Sequence, residues 1–190
     1  MAITLDQSTK KVKLDLDGLT RDGRVEAKIA AGEIIVEEIN RYLDRAESPV
    51  EGGKYKKKKV DGTISDLFED GDMRAHITFE ESEDGIIVGI FDDAPDIERT
   101  KAFAHNTGYR GHPHLSSPKN KREFIPTSRK GFKESIMRRV NSEINDIRNE
   151  EEFDKFEQLT NIDIQPSIES VFDIGNEALD KLILKALSGN

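Results

Sequence analysis

The chain has 190 residues, of which 35% are hydrophobic and 35% charged, with a formal net charge of −9. It contains no Cys and no Trp, which excludes disulfide staples and Cys-ligated zinc, and its acidic balance argues against a general attraction to nucleic acid. No apolar run approaches the ~20 residues of a membrane span, and Met1-Ala-Ile-Thr-Leu-Asp6 lacks the basic and apolar regions of a signal peptide. One core inside a charged shell is expected, kept in a cytoplasm or in a particle assembled there, with no membrane and no cofactor.

Residues 11–17 alternate, with Val12, Leu14 and Leu16 on one face, which predicts a half-buried strand ended by Asp17-Gly18. Val25, Ile29, Gly32, Val36, Ile39 and Leu43 follow at spacings of three and four. Ile35 and Tyr42 widen that stripe, and Glu26, Lys28, Glu33, Glu37, Glu38 and Arg41 take the other face. This predicts a long helix from about Arg24 to Ala46, stopped by Ser48-Pro49, whose stripe packs the core.

Residues 49–63 read as a polar loop, and Asp70-Gly-Asp-Met73 as a turn into a short element. Residues 76–80 and 86–91 read as a hairpin around Glu83-Asp-Gly85. A short helix over 97–105 is expected to turn Ile97, the Lys101 stem and Ala104 inward. Residues 108–121 read as irregular, and Arg122-Glu-Phe-Ile-Pro126 as a short extended segment.

Phe132, Ile136, Val140, Ile144 and Ile147 predict a helix from about Lys130 to Asn149. Phe153, Phe156 and Leu159 continue it after an acidic break at residues 150–152, and a last helix begins at Pro166-Ser167. The expected fold is α+β: a small antiparallel sheet packed against a long N-terminal helix, with a helical C-terminal extension. The expected domains are 1–150 for the body and 151–190 for the extension.

His105, His112 and His114, with Asp92, Asp93 or Asp96 in reach, form a candidate metal set for a hydrolase. Their spacing matches no strong zinc pattern, and the competing reading is of polar loop residues stiffened by Pro113. There is no nucleophile motif, although Ser116 and Ser117 sit near histidines in sequence. Lys54, Lys56, Lys57, Lys58 and Lys59 form a basic run around Tyr55, and residues 119–139 form a second basic zone. A nucleic-acid-binding module would use those two. Acid gathers at 80–84, 92–96 and 143–157. Separated signs suit subunits that dock head to tail in a ring, and equally a channel wall beside DNA.

Several segments in order resemble the neck and tail-completion proteins of tailed bacteriophages, the virion-morphogenesis or head–tail joining group. They are an N-terminal amphipathic helix, Ser48-Pro-Val-Glu-Gly-Gly-Lys-Tyr55, Leu67-Phe-Glu-Asp-Gly-Asp-Met73 before a strand pair, Ala102-Phe-Ala-His-Asn-Thr-Gly-Tyr-Arg-Gly111, and Arg122-Glu-Phe-Ile-Pro126 before a helix. The match spans roughly residues 25 to 148, and the C-terminal region departs from it. The resemblance implies a non-enzymatic virion subunit, assembled in the host cytoplasm. It would sit in a homo-oligomeric ring of six or twelve copies between portal or adaptor proteins and the tail tube or tail terminator, around the packaged DNA. Under it Tyr55, Phe103, His105, Tyr109, Arg110, His112, His114 and Phe124 are expected interface residues, with Tyr109 and Arg110 leading as aromatic and guanidinium anchors. Lys54 and Lys56–Lys59 are candidates to face DNA.

Overall fold

The computed structural model describes residues 8–55, 71–108, 121–126 and 129–163. The elements run β1 (Thr9–Lys13), α1 (Arg21–Asp44), α2 (Gly71–Ala75), β2 (Thr78–Ser82), β3 (Gly85–Gly89), α3 (Asp96–Thr107) and α4 (Glu134–Asp163). The fold is α+β. The chain divides into two compact units, residues 1–148 and 149–190, so α4 begins in the first and ends in the second.

The three strands form one antiparallel sheet in the order β1-β3-β2. Val12 pairs with Ile86, and Phe79 with Val88, which puts these four apolar residues on one face, while Ile87 faces the other way. β1 stops at Lys13, yet Leu14 and Leu16 keep the alternation and stay buried, and Leu14 N–H still donates to Asp84 O (3.1 Å). β2 starts later than its apolar pattern suggests. The N–H groups of His76 and Ile77 are taken by Met73 O and Arg74 O, which close α2.

α1 packs on that sheet. Thr20 caps it, its hydroxyl oxygen accepting from Gly23 N–H at 3.1 Å. Ala46 does not extend the helix. It adopts a left-handed φ of 53°, and Glu47 N–H turns back to Tyr42 O while Ala46 N–H reaches Leu43 O, a Schellman stop.

The buried face of α1 differs from the expected stripe. Val25 and Ile29 are 41% and 42% exposed, while Ala27, Ala31, Ile34 and Ile35 are buried, and so is Glu38. The cause is that α1 is covered on two sides. On the sheet side the Phe79 ring lies directly over Gly32, where a Cβ would come within 2.3 Å of it. On the other side Glu37 and Glu38 meet Arg139 of α4, and Tyr42 Oη lies 3.1 Å from Ser135 Oγ. Small residues permit these close approaches, and a stripe read from bulky residues passes over them.

α3 likewise buries Glu98, Ala102 and Asn106, whereas Ile97, expected to face inward, is 63% exposed. α4 begins at Glu134, because residues 131–133 are extended against 49–51. Val50 and Phe132 form an antiparallel bridge, and Lys133 N–H donates to Pro49 O at 2.9 Å. The helix then runs through Glu150-Glu-Glu152 without the expected break, glutamate being a good helix former. The expected helix from Pro166 lies outside the described residues.

Candidate functional site

Three segments distant in sequence are tied together by buried polar groups: residues 48–55, the C-terminal turns of α3, and residues 121–132. The last turn of α3 closes on Gly108, whose φ of 78° lets its N–H reach Ala104 O at 2.9 Å. From that turn His105 O accepts from Arg122 N–H at 2.9 Å, and His105 Nδ1 lies 3.3 Å from the Arg122 guanidinium. One residue on, the buried Asn106 side chain accepts from two backbone donors, Phe124 N–H and Ile125 N–H, each at 3.1 Å. A single amide oxygen thereby fixes the path of the Arg122–Pro126 segment.

Glu123 is the second hub. Its backbone N–H donates to Lys54 O at 3.0 Å, and its carboxylate accepts from Lys54 N–H at 2.9 Å. Lys130 Nζ reaches both carboxylate oxygens, at 3.0 and 2.9 Å, and Lys121 Nζ lies 3.5 Å away. The Ser48 hydroxyl donates to Glu123 O at 2.5 Å and accepts from Val50 N–H. Beside this pairing, Tyr55 and Arg122 form an antiparallel bridge. Burial pushes the Glu123 carboxyl up, but the bond from Lys130, the Lys54 N–H and the two lysine charges outweigh it and hold it below the usual carboxylate range. The carboxylate is the buried counter-ion of Lys121 and Lys130.

This knot brings together the segments around Lys54-Tyr55, Phe103, His105 and Phe124. Tyr55, Phe103 and His105 are half-buried in it, and Lys54 is exposed at its edge. Phe124 is fully buried, as is Ile125, so the expectation that Phe124 meets a partner is corrected. Its ring is core, drawn inward because Asn106 holds the backbone beside it. Tyr109, Arg110, His112, His114 and Lys56–Lys59 lie outside the described residues.

Among the described residues no group of His, Asp or Glu is placed to hold a metal ion. Asp92 and Asp96 are both engaged by Arg99, and the ring of His105 faces a guanidinium. An open recess of about 340 Å³ between α1 and α4 is lined by Glu33, Glu37, Arg139 and Glu143, and its one cation is already paired.

Composition and periodicity passed over the residues that build the knot: Ser48, Asn106, Glu123 and Lys130. Each is polar, and each acts on a partner whose position only the tertiary fold supplies. The knot holds the described residues Gly108, Lys121 and, through its bridge to Arg122, Tyr55. No helix among the described residues is long and apolar enough to cross a membrane. Comparison with known proteins finds no family model that matches the chain, no similar curated protein and no similar solved structure.

Proposed function

We propose that this chain is a structural subunit of a tailed-phage neck or tail-completion ring, working by docking and not by catalysis. One observation supports the reading: the described parts of three segments that bear the resemblance to head–tail joining proteins, 48–55, 102–108 and 122–126, are bonded to one another in one place. A catalytic centre needs a nucleophile or titratable group aimed at a cleft. The knot instead spends its polar groups on holding backbone, which is what a docking surface requires of its support.

In this reading Lys56–Lys59, Tyr109, Arg110, His112 and His114, all outside the described residues, are the residues that contact neighbouring subunits, portal or adaptor proteins, tail proteins and the passing DNA. Six or twelve copies in a ring multiply modest contacts by avidity. The experiment is complementation of particle assembly by a chain carrying Tyr109→Ala and Arg110→Ala, with circular dichroism to verify the fold. The expected result is heads and tails that fail to join. Unchanged assembly and infectivity would remove the docking assignment.

A second reading is a nucleic-acid-binding module. It is favoured by the exposure of Lys54 and Arg129 near the ammonium groups of Lys121 and Lys130. It requires duplex affinity that falls steeply with salt and drops on Lys54→Glu.

A further inference from the structure

α4 and the segment leading into it are polarised in charge. Arg129, Lys130, Lys133, Arg138 and Arg139 lie at the start, while residues 150–157, Glu-Glu-Glu-Phe-Asp-Lys-Phe-Glu, carry five carboxylates against one ammonium. In that acidic stretch Phe153 is 67% exposed and Phe156, one turn on, 66%. At i and i+3 the two rings share one face of the helix. Glu150 and Glu157 lie on one side of them and Glu152 on the other, by helical spacing. Phe153 carries the argument, since Phe156 makes other contacts as well. A phenyl ring this exposed leaves most of its apolar area in water, and burying it against a partner is favourable.

The surface over the knot has the opposite character. Lys54 and Arg129 are exposed and the aromatic Tyr55 is half-buried. Lys121 and Lys130 lie close by with about a third of their side chains in solvent, against the single buried carboxylate of Glu123. One surface is acidic with exposed phenyl rings. The other is basic with an aromatic at its centre.

We infer that residues 150–157 of one copy dock on the Lys54–Tyr55–Arg129 surface of another copy, head to tail. The charge pattern selects this occupant. Either surface laid on its own duplicate would set like charges against each other, so the acidic turns of one copy are matched to the basic root of another. Repeated head to tail, such a contact is heterologous and propagates into rings or filaments. The inference deepens the ring reading above by naming the surfaces through which subunits join, and it can fail separately from that reading.

The test uses the full chain and the mass of its native assembly by analytical ultracentrifugation at low and high salt. The wild type is expected to form oligomers that dissociate as salt rises. Glu150→Lys with Glu152→Lys is expected to leave monomers, and so is Lys54→Glu with Arg129→Glu. Mixing the two variants is expected to restore pairing, because each keeps the surface its counterpart lacks. Phe153→Ser alters an exposed position, so the fold stays intact, and it too is expected to lose the oligomer. A monomeric wild type, variants that keep the wild-type mass, or a mixture that stays monomeric would each overturn the inference. If the charge variants keep their mass while Tyr109→Ala with Arg110→Ala still blocks head–tail joining, this contact is wrong and the neck reading stands. If charge swapping restores assembly but particle joining never depends on the chain, the contact stands and the neck reading falls.

Discussion

Replacing Asn106 with leucine tests whether the knot is what holds the Arg122–Pro126 segment. The substitution keeps the branching and the number of heavy atoms, is somewhat bulkier, and removes the amide oxygen together with its NH2 group. That oxygen accepts from the N–H groups of Phe124 and Ile125, both at 3.1 Å, and both residues are fully buried. Each orphaned buried donor costs about 1–3 kcal/mol. Added leucine burial offsets about one of those losses, since a buried apolar side chain is worth about 1.5–3 kcal/mol. The net loss expected is about 1–3 kcal/mol, a large share of a stability of about 5–15 kcal/mol. Urea unfolding followed by far-UV circular dichroism reads it as a lower midpoint at unchanged slope. Thr107→Val next door is the control. It also loses a side-chain bond, from Thr107 Oγ1 to Phe103 O at 2.7 Å, but orphans no N–H donor, so it should cost less than ~1 kcal/mol. A leucine variant within about 0.5 kcal/mol of wild type would refute the reasoning, that being the scatter of surface substitutions.

Three further outcomes follow from the same contacts. The carboxyl of Glu123 is held below its ordinary range, so its contribution is complete above the unfolded value, about 4.3, and is lost as pH falls through the lower folded value. Glu123→Gln should therefore cost about 1–3 kcal/mol at neutral pH, and urea midpoints of variant and wild type should converge in acid. Gly32→Ala should destabilise by about 1–3 kcal/mol despite alanine's better helix propensity, because the new methyl would meet the Phe79 ring at 2.3 Å. Phe79→Leu in the same chain should recover part of that loss in thermal melts. Arg139→Met leaves the buried Glu38 carboxylate with Arg41 alone, and should cost about 1–2 kcal/mol, discounted because Arg139 is itself half in solvent. Adding Glu38→Met should restore most of it, and a double-mutant cycle with no coupling would contradict the ion pair.

Much of the fold was legible because its elements obey simple periods. The alternation at Val12, Leu14 and Leu16 marked an inward strand face, and the hairpin of β2 and β3 followed from two apolar runs around Asp84-Gly85. Ile136, Val140, Ile144 and Ile147 announced α4 correctly, and all four are buried. The errors came where small or polar residues occupy the interior. α1 buries Gly32 as its stripe predicts, but it also turns Ala27 and Ala31 inward and leaves Val25 and Ile29 near the surface. α3 buries Glu98 and Asn106, which hydrophobicity places outside. Asn106 has two backbone donors, while Glu98 has Lys101 at 3.1 Å on one oxygen and its other oxygen is buried without a hydrogen-bond partner. At Asn106 burial follows satisfied partners as much as apolar area.

The site was legible only as words in order. Ala102-Phe-Ala-His-Asn106, Arg122-Glu-Phe-Ile-Pro126 and Ser48–Tyr55 each stood out in the chain, but nothing in their spacing says that Asn106 bonds to residues 18 and 19 positions on, or that Ser48 bonds to Glu123, 75 positions on. Such contacts carry a loop-closure cost that local propensity cannot reveal, and only the packed core makes it affordable. The same reasoning explains why Phe124 was misassigned. An aromatic beside a turn looks available to a partner until the turn is fixed by an amide behind it, and then the ring has one direction left, into the core. The half-buried Tyr55, in contrast, stays at the edge because its backbone pairs with Arg122. An anchor residue in a docking surface is thus recognised by what holds its backbone, and Asn106 and Glu123 supply that hold.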